Sequence, residues 1–117
     1  MRNSQSFGIG IDIVDIDRFK KIPYESNKNF YKKIFNVSEI KYCLKFKEPY
    51  KHFAGKFAIK EAVKKSISKH PSFLDIGTDH IKEKPIAKLK NHDGYSFLVS
   101  VSHDAGMAIA VVISTFK

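Results

Sequence analysis

The chain has no tryptophan and a single cysteine, Cys43, among its 117 residues. One cysteine excludes an internal disulfide and suits a reducing compartment, so a cytoplasmic location is expected. Long apolar runs are missing as well. The opening stretch Met1 to Phe7 is polar, and the run behind it, Ile9 to Ile16, is broken by Asp12 and Asp15. No signal peptide or membrane span is readable, so no membrane association is expected. Repeats, low-complexity tracts and linkers are absent too, which points to one domain over residues 1–117. The five histidines, at 52, 70, 80, 92 and 103, lack zinc spacing, and no phosphate-binding P-loop lysine motif occurs.

What the chain has in excess is positive charge, a net +9 with a pI near 9.6. That asymmetry speaks to partners rather than fold. Nucleic acid, an anionic membrane surface, or an acidic protein with a phosphorylated substrate would each fit. A chain of 117 residues also builds only a small core, so help from a homo-oligomer is expected.

Gly8 to Val14 reads as a β-branched strand holding one carboxylate, Asp12. An amphipathic stretch follows, Asp15 to Ile22, and then a polar and aromatic loop with at most a helical turn, Tyr24 to Lys33. Asn36 with Glu39 three residues on marks a helix start, Ser38 being the rival cap, and Ile40, Cys43 and Leu44 continue at helical spacing. Cys43, on that apolar face, reads as core rather than nucleophile. The clearest helix lies between Pro49 and Pro71, with Phe53, Phe57, Ala58, Ala62, Val63 and Ile67 on its apolar face. Short strands are expected at Asp75–Ile81 and Ile86–Leu89. Phe97–Ser102 and Met107–Ile113, separated by His103 to Gly106, form a hairpin signal. The sum is an α+β single domain, with a long central helix packed on a largely antiparallel sheet.

Two carboxylates stand out. Glu61 lies four residues after Phe57 and four before Lys65, on a helix ridge with apolar neighbours Ala58 and Ala62. The bland reading is a surface Glu61–Lys65 pair. Asp12, however, interrupts a strand that otherwise reads as buried. Hard oxygen ligands on two rigid elements suit Mg²⁺, which takes one or two carboxylates and completes its shell with water and phosphate. Lys56, Lys60 and Lys64 repeat every four residues beside Glu61, as either a solvated face or a cationic wall for a polyanion. Ser102-His103-Asp104 holds triad residue types, but neighbours in a strand point to opposite faces and form no relay. Gly8-Ile9-Gly10 starts like a dinucleotide fingerprint, with Ile13 where its third glycine belongs.

Three blocks together resemble the small phosphopantetheinyl transferases of the acyl carrier protein synthase group. They are Gly8-Ile9-Gly10-Ile11-Asp12-Ile13-Val14 running on to Arg18-Phe19, then Phe53-Ala54-Gly55-Lys56-Phe57-Ala58-Ile59-Lys60-Glu61-Ala62, then Val101-Ser102-His103-Asp104 with Ala108-Ile109-Ala110-Val111-Val112. The resemblance implies transfer of 4'-phosphopantetheine from coenzyme A to a serine of an acyl carrier protein, with release of 3',5'-ADP. It implies Mg²⁺ on Asp12 and Glu61, with Glu61 and Lys65 as catalytic residues and Lys65 neutralising the phosphates. Glu61 takes the serine proton directly or through a water on the metal, and both routes stay open. Coenzyme A would meet Lys56, Lys65, Pro85, Ser102 and His103, while Arg18 would meet the acidic carrier protein. A homotrimer with sites at subunit interfaces is implied as well.

The chain departs from the family at three points. Lys56 stands where arginine is common, Ser68-Lys69-His70-Pro71-Ser72 replaces a glycine-rich loop, and Glu83 replaces a glycine before Lys84-Pro85. Two rival readings remain from the residues alone. A basic nucleic-acid-binding module draws on the aromatic residues among lysines from Tyr42 to Phe57, and leaves Asp12 and Glu61 unexplained. A noncatalytic β-rich interaction subunit would tolerate loss of either carboxylate. The transferase reading expects no nucleic-acid partner.

Overall fold

The computed structural model describes residues 6–117. Alternation along the first strand, β1 (Ser6–Asp15), sets the geometry of everything that follows. Gly8, Gly10, Asp12 and Val14 face inward, while Phe7, Ile9, Ile11 and Ile13 face out. The chain then passes through short helices α1 (Ile16–Lys20) and α2 (Lys28–Lys32), with a 3₁₀ turn at Tyr24–Ser26 between them. The polar segment expected as loop is therefore largely helical. Tyr31 explains why: it is fully buried, and its hydroxyl donates to the Ile22 carbonyl at 2.6 Å, pinning α2 against the preceding chain.

Helix α3 (Val37–Leu44) starts where the Asn36/Glu39 pattern places it, and the Glu39 side chain accepts from the Asn36 backbone N–H at 2.7 Å. Pro49 opens the long helix α4 (Pro49–Ser66), its missing N–H costing nothing in the first turn. A second 3₁₀ turn, Phe73–Asp75, leads into the hairpin β2 (Ile76–Ile81) and β3 (Lys84–Leu89). The last hairpin is β4 (Tyr95–Asp104) and β5 (Met107–Phe116). Its turn is only Ala105-Gly106, both at positive φ (51° and 77°), so His103 and Asp104 are strand residues rather than loop residues.

The main sheet is antiparallel in the order β1-β5-β4, and β2-β3 forms a separate antiparallel pair. Helix α4 crosses the inner face of the main sheet. A Cβ at Gly10 would collide with the Ala62 carbonyl, and one at Gly8 with the Ser66 carbonyl, so only glycine lets β1 lie this close to the helix backbone. On its other side α4 is covered by α1, α3 and the β2-β3 hairpin. The core gathers around Phe53, whose ring lies 4.7 Å from Tyr31 and 5.0 Å from Phe35. Burial of each such ring contributes about 1.5–3 kcal/mol. Cys43 is wholly buried here, and burial pushes its thiol up to about 12, as expected of a core residue. Among the described residues no helix is long and apolar enough to cross a membrane.

Candidate active site

The inward positions of β1 and the last two turns of α4 meet at the Gly10–Ala62 contact. Asp12 lies two residues further along β1, and Glu61 one residue earlier on α4. Both are half-buried. The Lys65 ammonium donates to the Asp12 carboxylate at 3.0 Å and to the Ile11 carbonyl at 3.1 Å. Among the described residues Glu61 has no ion pair, so the surface Glu61–Lys65 pairing does not form. Lys65 reaches across to the strand instead. Its side chain is 54% exposed against 14% for Asp12, which leaves it free to swing toward an incoming anion.

Those two carboxylates suit a hard divalent cation. The Lys65 ammonium marks where Asp12 already takes positive charge, and Glu61 stands uncompensated on the neighbouring element. Two oxygen ligands on a strand and a helix leave most of an octahedral shell to water and phosphate.

About 9 Å back along α4, by its rise per residue, Gly55 meets β4. A Cβ there would press on the His103 imidazole, whose Nε2 lies 3.2 Å from the Lys51 carbonyl. His103 thus faces α4, while Ser102 and Asp104 face away, as alternation requires. Beside His103 opens a cavity of about 510 Å³. It is lined by Lys56, Pro85 and His103, three of the residues that the family resemblance assigns to coenzyme A, and by Tyr42, His52 and His80. Lys65 and Ser102 are not part of it. Lys65 is at Asp12, and Ser102 is on the outer face of the sheet.

The cavity wall is aromatic. His52 stacks on Phe46 at 3.7 Å between centroids, and His80 on Tyr42 at 4.6 Å. Burial pulls His52, His80 and His103 below the ordinary histidine range; the Lys56 charge adds to this at His52 and His80, while the Lys51 carbonyl partly opposes it at His103. Lys56 is likewise pulled down by burial, with Cys43, Glu39 and Asp79 opposing. The His80 Nδ1 atom is buried without a hydrogen-bond partner among the described residues. A desolvated cation among imidazoles and π-faces suits an anion carrying a flat ring.

The lysine ridge reads differently in three dimensions. Lys56 and Lys60 are buried, so they form neither a solvated face nor an open cationic wall. Lys60 donates to Glu39 (2.7 Å), the Ile34 carbonyl (2.8 Å) and the Phe73 carbonyl (3.0 Å). Lys64 lies over the Phe73 ring at 3.5 Å. Glu39, Lys60 and Thr78 were not legible as site residues. Glu39 looked like a cap and nothing more, and its other partners lie 21 and 39 residues away. The aromatic wall did leave a signal, the Tyr42 to Phe57 segment rich in rings and lysines, which composition alone turns toward nucleic acid. Arg18 is exposed, its guanidinium 5.6 Å from the Phe57 ring centroid.

A long helix laid on an antiparallel sheet, with two carboxylates at one end and a basic aromatic cavity at the other, makes an α+β domain whose site suits chemistry on a phosphorylated substrate. The sequence model of the 4'-phosphopantetheinyl transferase superfamily matches residues 8–112. The holo-(acyl-carrier-protein) synthase of Thermodesulfovibrio yellowstonii is 33% identical over 112 residues, covering 92% of this chain and 97% of that protein. The Helicobacter pylori synthase is 39% identical over 118 residues, covering 90% and 95%. A crystal structure of the H. pylori enzyme in complex with coenzyme A is similar with a TM-score of 0.77 at 40% identity, covering 91% of this chain and 98% of that one. A Bacillus anthracis synthase, also solved with coenzyme A, gives 0.80 at 29% identity, covering 94% and 96%. The chain therefore belongs to the 4'-phosphopantetheinyl transferase superfamily, in its holo-(acyl-carrier-protein) synthase group.

Proposed function

We propose that this chain transfers 4'-phosphopantetheine from coenzyme A to a serine of an apo acyl carrier protein, releasing 3',5'-ADP in a Mg²⁺-dependent reaction. The observation that carries the reading is the junction of β1 and α4, where Asp12 and Glu61 flank a backbone contact and Lys65 reaches Asp12. Asp12 and Glu61 would hold Mg²⁺, which when bound supplies Lewis-acid stabilisation of charge on the diphosphate. Lys65, half-exposed on a flexible stem, turns from Asp12 to the diphosphate and neutralises the leaving oxygen. Glu61 takes the proton of the carrier serine, directly or by way of a water molecule. The serine oxygen forms the new bond to the β-phosphorus, the bond from that phosphorus to the bridging oxygen breaks, and 3',5'-ADP departs.

The nucleotide part of coenzyme A takes the cavity with Lys56, Pro85 and His103 on its walls. Arg18, exposed at the edge of α1, offers its charge to the acidic carrier protein, so Arg18→Glu weakens carrier binding far more than coenzyme A binding. In one subunit the cavity adjoins edge strand β4, whereas Asp12 sits on the opposite edge strand β1, with Glu61 beside it on the C-terminal half of α4. That separation supports a homotrimer in which neighbours share each site, with Ser102 turned outward toward the next copy. The single domain spans 1–117 and works in the cytoplasm, the reducing compartment that its lone cysteine suits.

The test is incubation of the chain with coenzyme A, Mg²⁺ and an apo carrier protein, followed by intact mass of the carrier. A phosphopantetheine adduct on serine, absent when chelator replaces Mg²⁺, is the expected result. An unmodified carrier under both conditions sinks the reading.

A further inference from the structure

The buried polar network behind the cavity does not touch the space a ligand would fill, yet it ends at the one lysine that does. Glu39 is 1% exposed and carries four hydrogen bonds. One oxygen accepts from Lys60 and from the Asn36 backbone, both at 2.7 Å. The other accepts from the Thr78 backbone N–H at 2.8 Å and from the Thr78 hydroxyl at 2.5 Å. A threonine hydroxyl has one proton, and here it is committed to Glu39. The lone pairs of the same oxygen are left to accept, and the Lys56 ammonium donates to them at 3.0 Å.

Lys56 has three N–H donors. Thr78 takes one, and the Tyr42 ring, with its centroid 4.7 Å from the nitrogen, attracts the charge from another side. No carboxylate among the described residues forms an ion pair with Lys56. The charge of Glu39 is met directly by Lys60, so Glu39 forms no ion pair with Lys56, and beside its longer-range pull on that ammonium it sets the orientation of the Thr78 hydroxyl. The outcome is a cation that is fixed in place, desolvated, and still owed an anion.

We propose that Glu39 and Thr78 are positioning residues that set the Lys56 ammonium to receive a phosphate group of coenzyme A. The inference rests on the proposed reading of this cavity as the coenzyme A site. It adds that a lysine here, with freely rotating donors where an arginine would present a rigid fork, needs an external acceptor to fix its direction. Thr78 on β2 supplies that acceptor and α3 supplies the carboxylate that orients it, so three separate elements converge on one nitrogen.

Thr78→Val keeps the shape of the side chain and removes the acceptor. Coenzyme A binding is measured by calorimetry on the wild-type protein and on Thr78→Val, with KM and kcat from the transfer assay and melting to verify folding. The expected result is a Kd and KM for coenzyme A raised about tenfold, the scale of one lost charge-assisted hydrogen bond, with kcat within about twofold. Thr78→Ser restores binding, and Thr78→Val adds no further loss once Lys56 is already alanine. Thr78→Ala, which also lacks the acceptor, repeats the test should valine fail to fold. Unchanged binding by the Thr78 variants beside a binding wild type overturns the relay and leaves the site reading intact. Losses that add in full to those of Lys56→Ala overturn it as well. A wild-type protein that binds no coenzyme A overturns both readings.

Discussion

Lys60 and Glu39 form an ion pair of 2.7 Å in which the side chains are 0% and 1% exposed. The two residues lie 21 apart in sequence and tie α3 to the middle of α4. Two backbone carbonyls complete the shell of Lys60, and three further N–H or O–H groups complete that of Glu39. Burial draws the Lys60 ammonium down while the adjacent Glu39 charge draws it up.

Removing one member strands the other in the core, which costs about 3–5 kcal/mol. Lys60→Ala and Glu39→Ala should therefore each lower stability by that order in chemical denaturation at fixed protein concentration. Thr78→Val, which leaves the pair intact, should cost much less. Equal small losses in all three would show that the network does not hold the fold.

The Asp12–Lys65 pair behaves differently because Lys65 is largely in water. A screened, half-exposed pair contributes little to stability. Asp12→Ala and Glu61→Ala are expected to melt near the wild-type temperature and yet lose transfer activity. Titration with Mg²⁺ in the assay supplies the check. A variant that keeps near-normal turnover at limiting Mg²⁺ would falsify the metal assignment.

His52, His80 and His103 are all held below the ordinary histidine range, chiefly by burial. The Lys51 and Lys56 charges oppose protonation, whereas Asp79 favours it at His80 and the Lys51 carbonyl favours it at His103. The unfolded chain therefore takes protons first as pH falls, near the free value of about 6.5. Their contribution to stability is complete above that pH and is lost as acidity rises. A polyanion in the cavity reverses the preference, so coenzyme A binding should take up protons near neutral pH. Calorimetry in buffers of different ionisation heat detects this uptake; a heat independent of buffer would exclude it.

Glu83 sits at φ 68°, beside Lys82 at 49°, in the β2-β3 turn. That left-handed region disfavours side chains by about 1–2 kcal/mol, and the greater unfolded freedom of glycine returns about 0.5–1 kcal/mol of it. Glu83→Gly should raise the melting temperature slightly, whereas Glu83→Gln should not. Both remove an acid from the cavity lining, so both should tighten coenzyme A binding. Tightening by only one of them would separate turn shape from charge.

The backbone plan was legible because its signals are local. Gly8 and Gly10 in a β-branched run, Pro49 before an amphipathic stretch, and Ala105-Gly106 between two apolar strands each act within a few residues. The lysines misled because helical period reports a face only when one side of the helix meets water. Helix α4 is covered by the sheet on one side and by α1, α3 and β2-β3 on the other, so Lys56 and Lys60 of its lysine ridge are interior and only Lys64 reaches partly into solvent. What makes Lys60 tolerable there is a carboxylate and two carbonyls from distant segments, and no spacing rule within α4 encodes them. The cavity was half legible. Lys56 and His103 came with the resemblance, whereas His52, His80 and Tyr42 converge only when α3, α4 and β2 pack together.

The outer face of the main sheet makes the most exposed claim. Phe7, Ile9 and Leu98 are 69%, 68% and 70% exposed, and Ile11 and Ile13 continue the row along β1. In register beside them lie Ile109, Val111 and Ile113 of β5, so the stripe crosses all three strands. A contiguous apolar face of this kind on so small a chain calls for a covering surface, which the proposed homotrimer would supply. Ile9→Glu combined with Leu98→Glu should convert a sedimenting trimer to a folded monomer and abolish transfer, because each site would lose its neighbour's half. Mixing Glu61→Ala with His103→Ala protein should then restore part of the activity, since hybrid assemblies contain sites with one intact half from each parent. A wild-type protein that sediments as a monomer at assay concentration, or parents that exchange subunits without any rescue, would rule out the shared site.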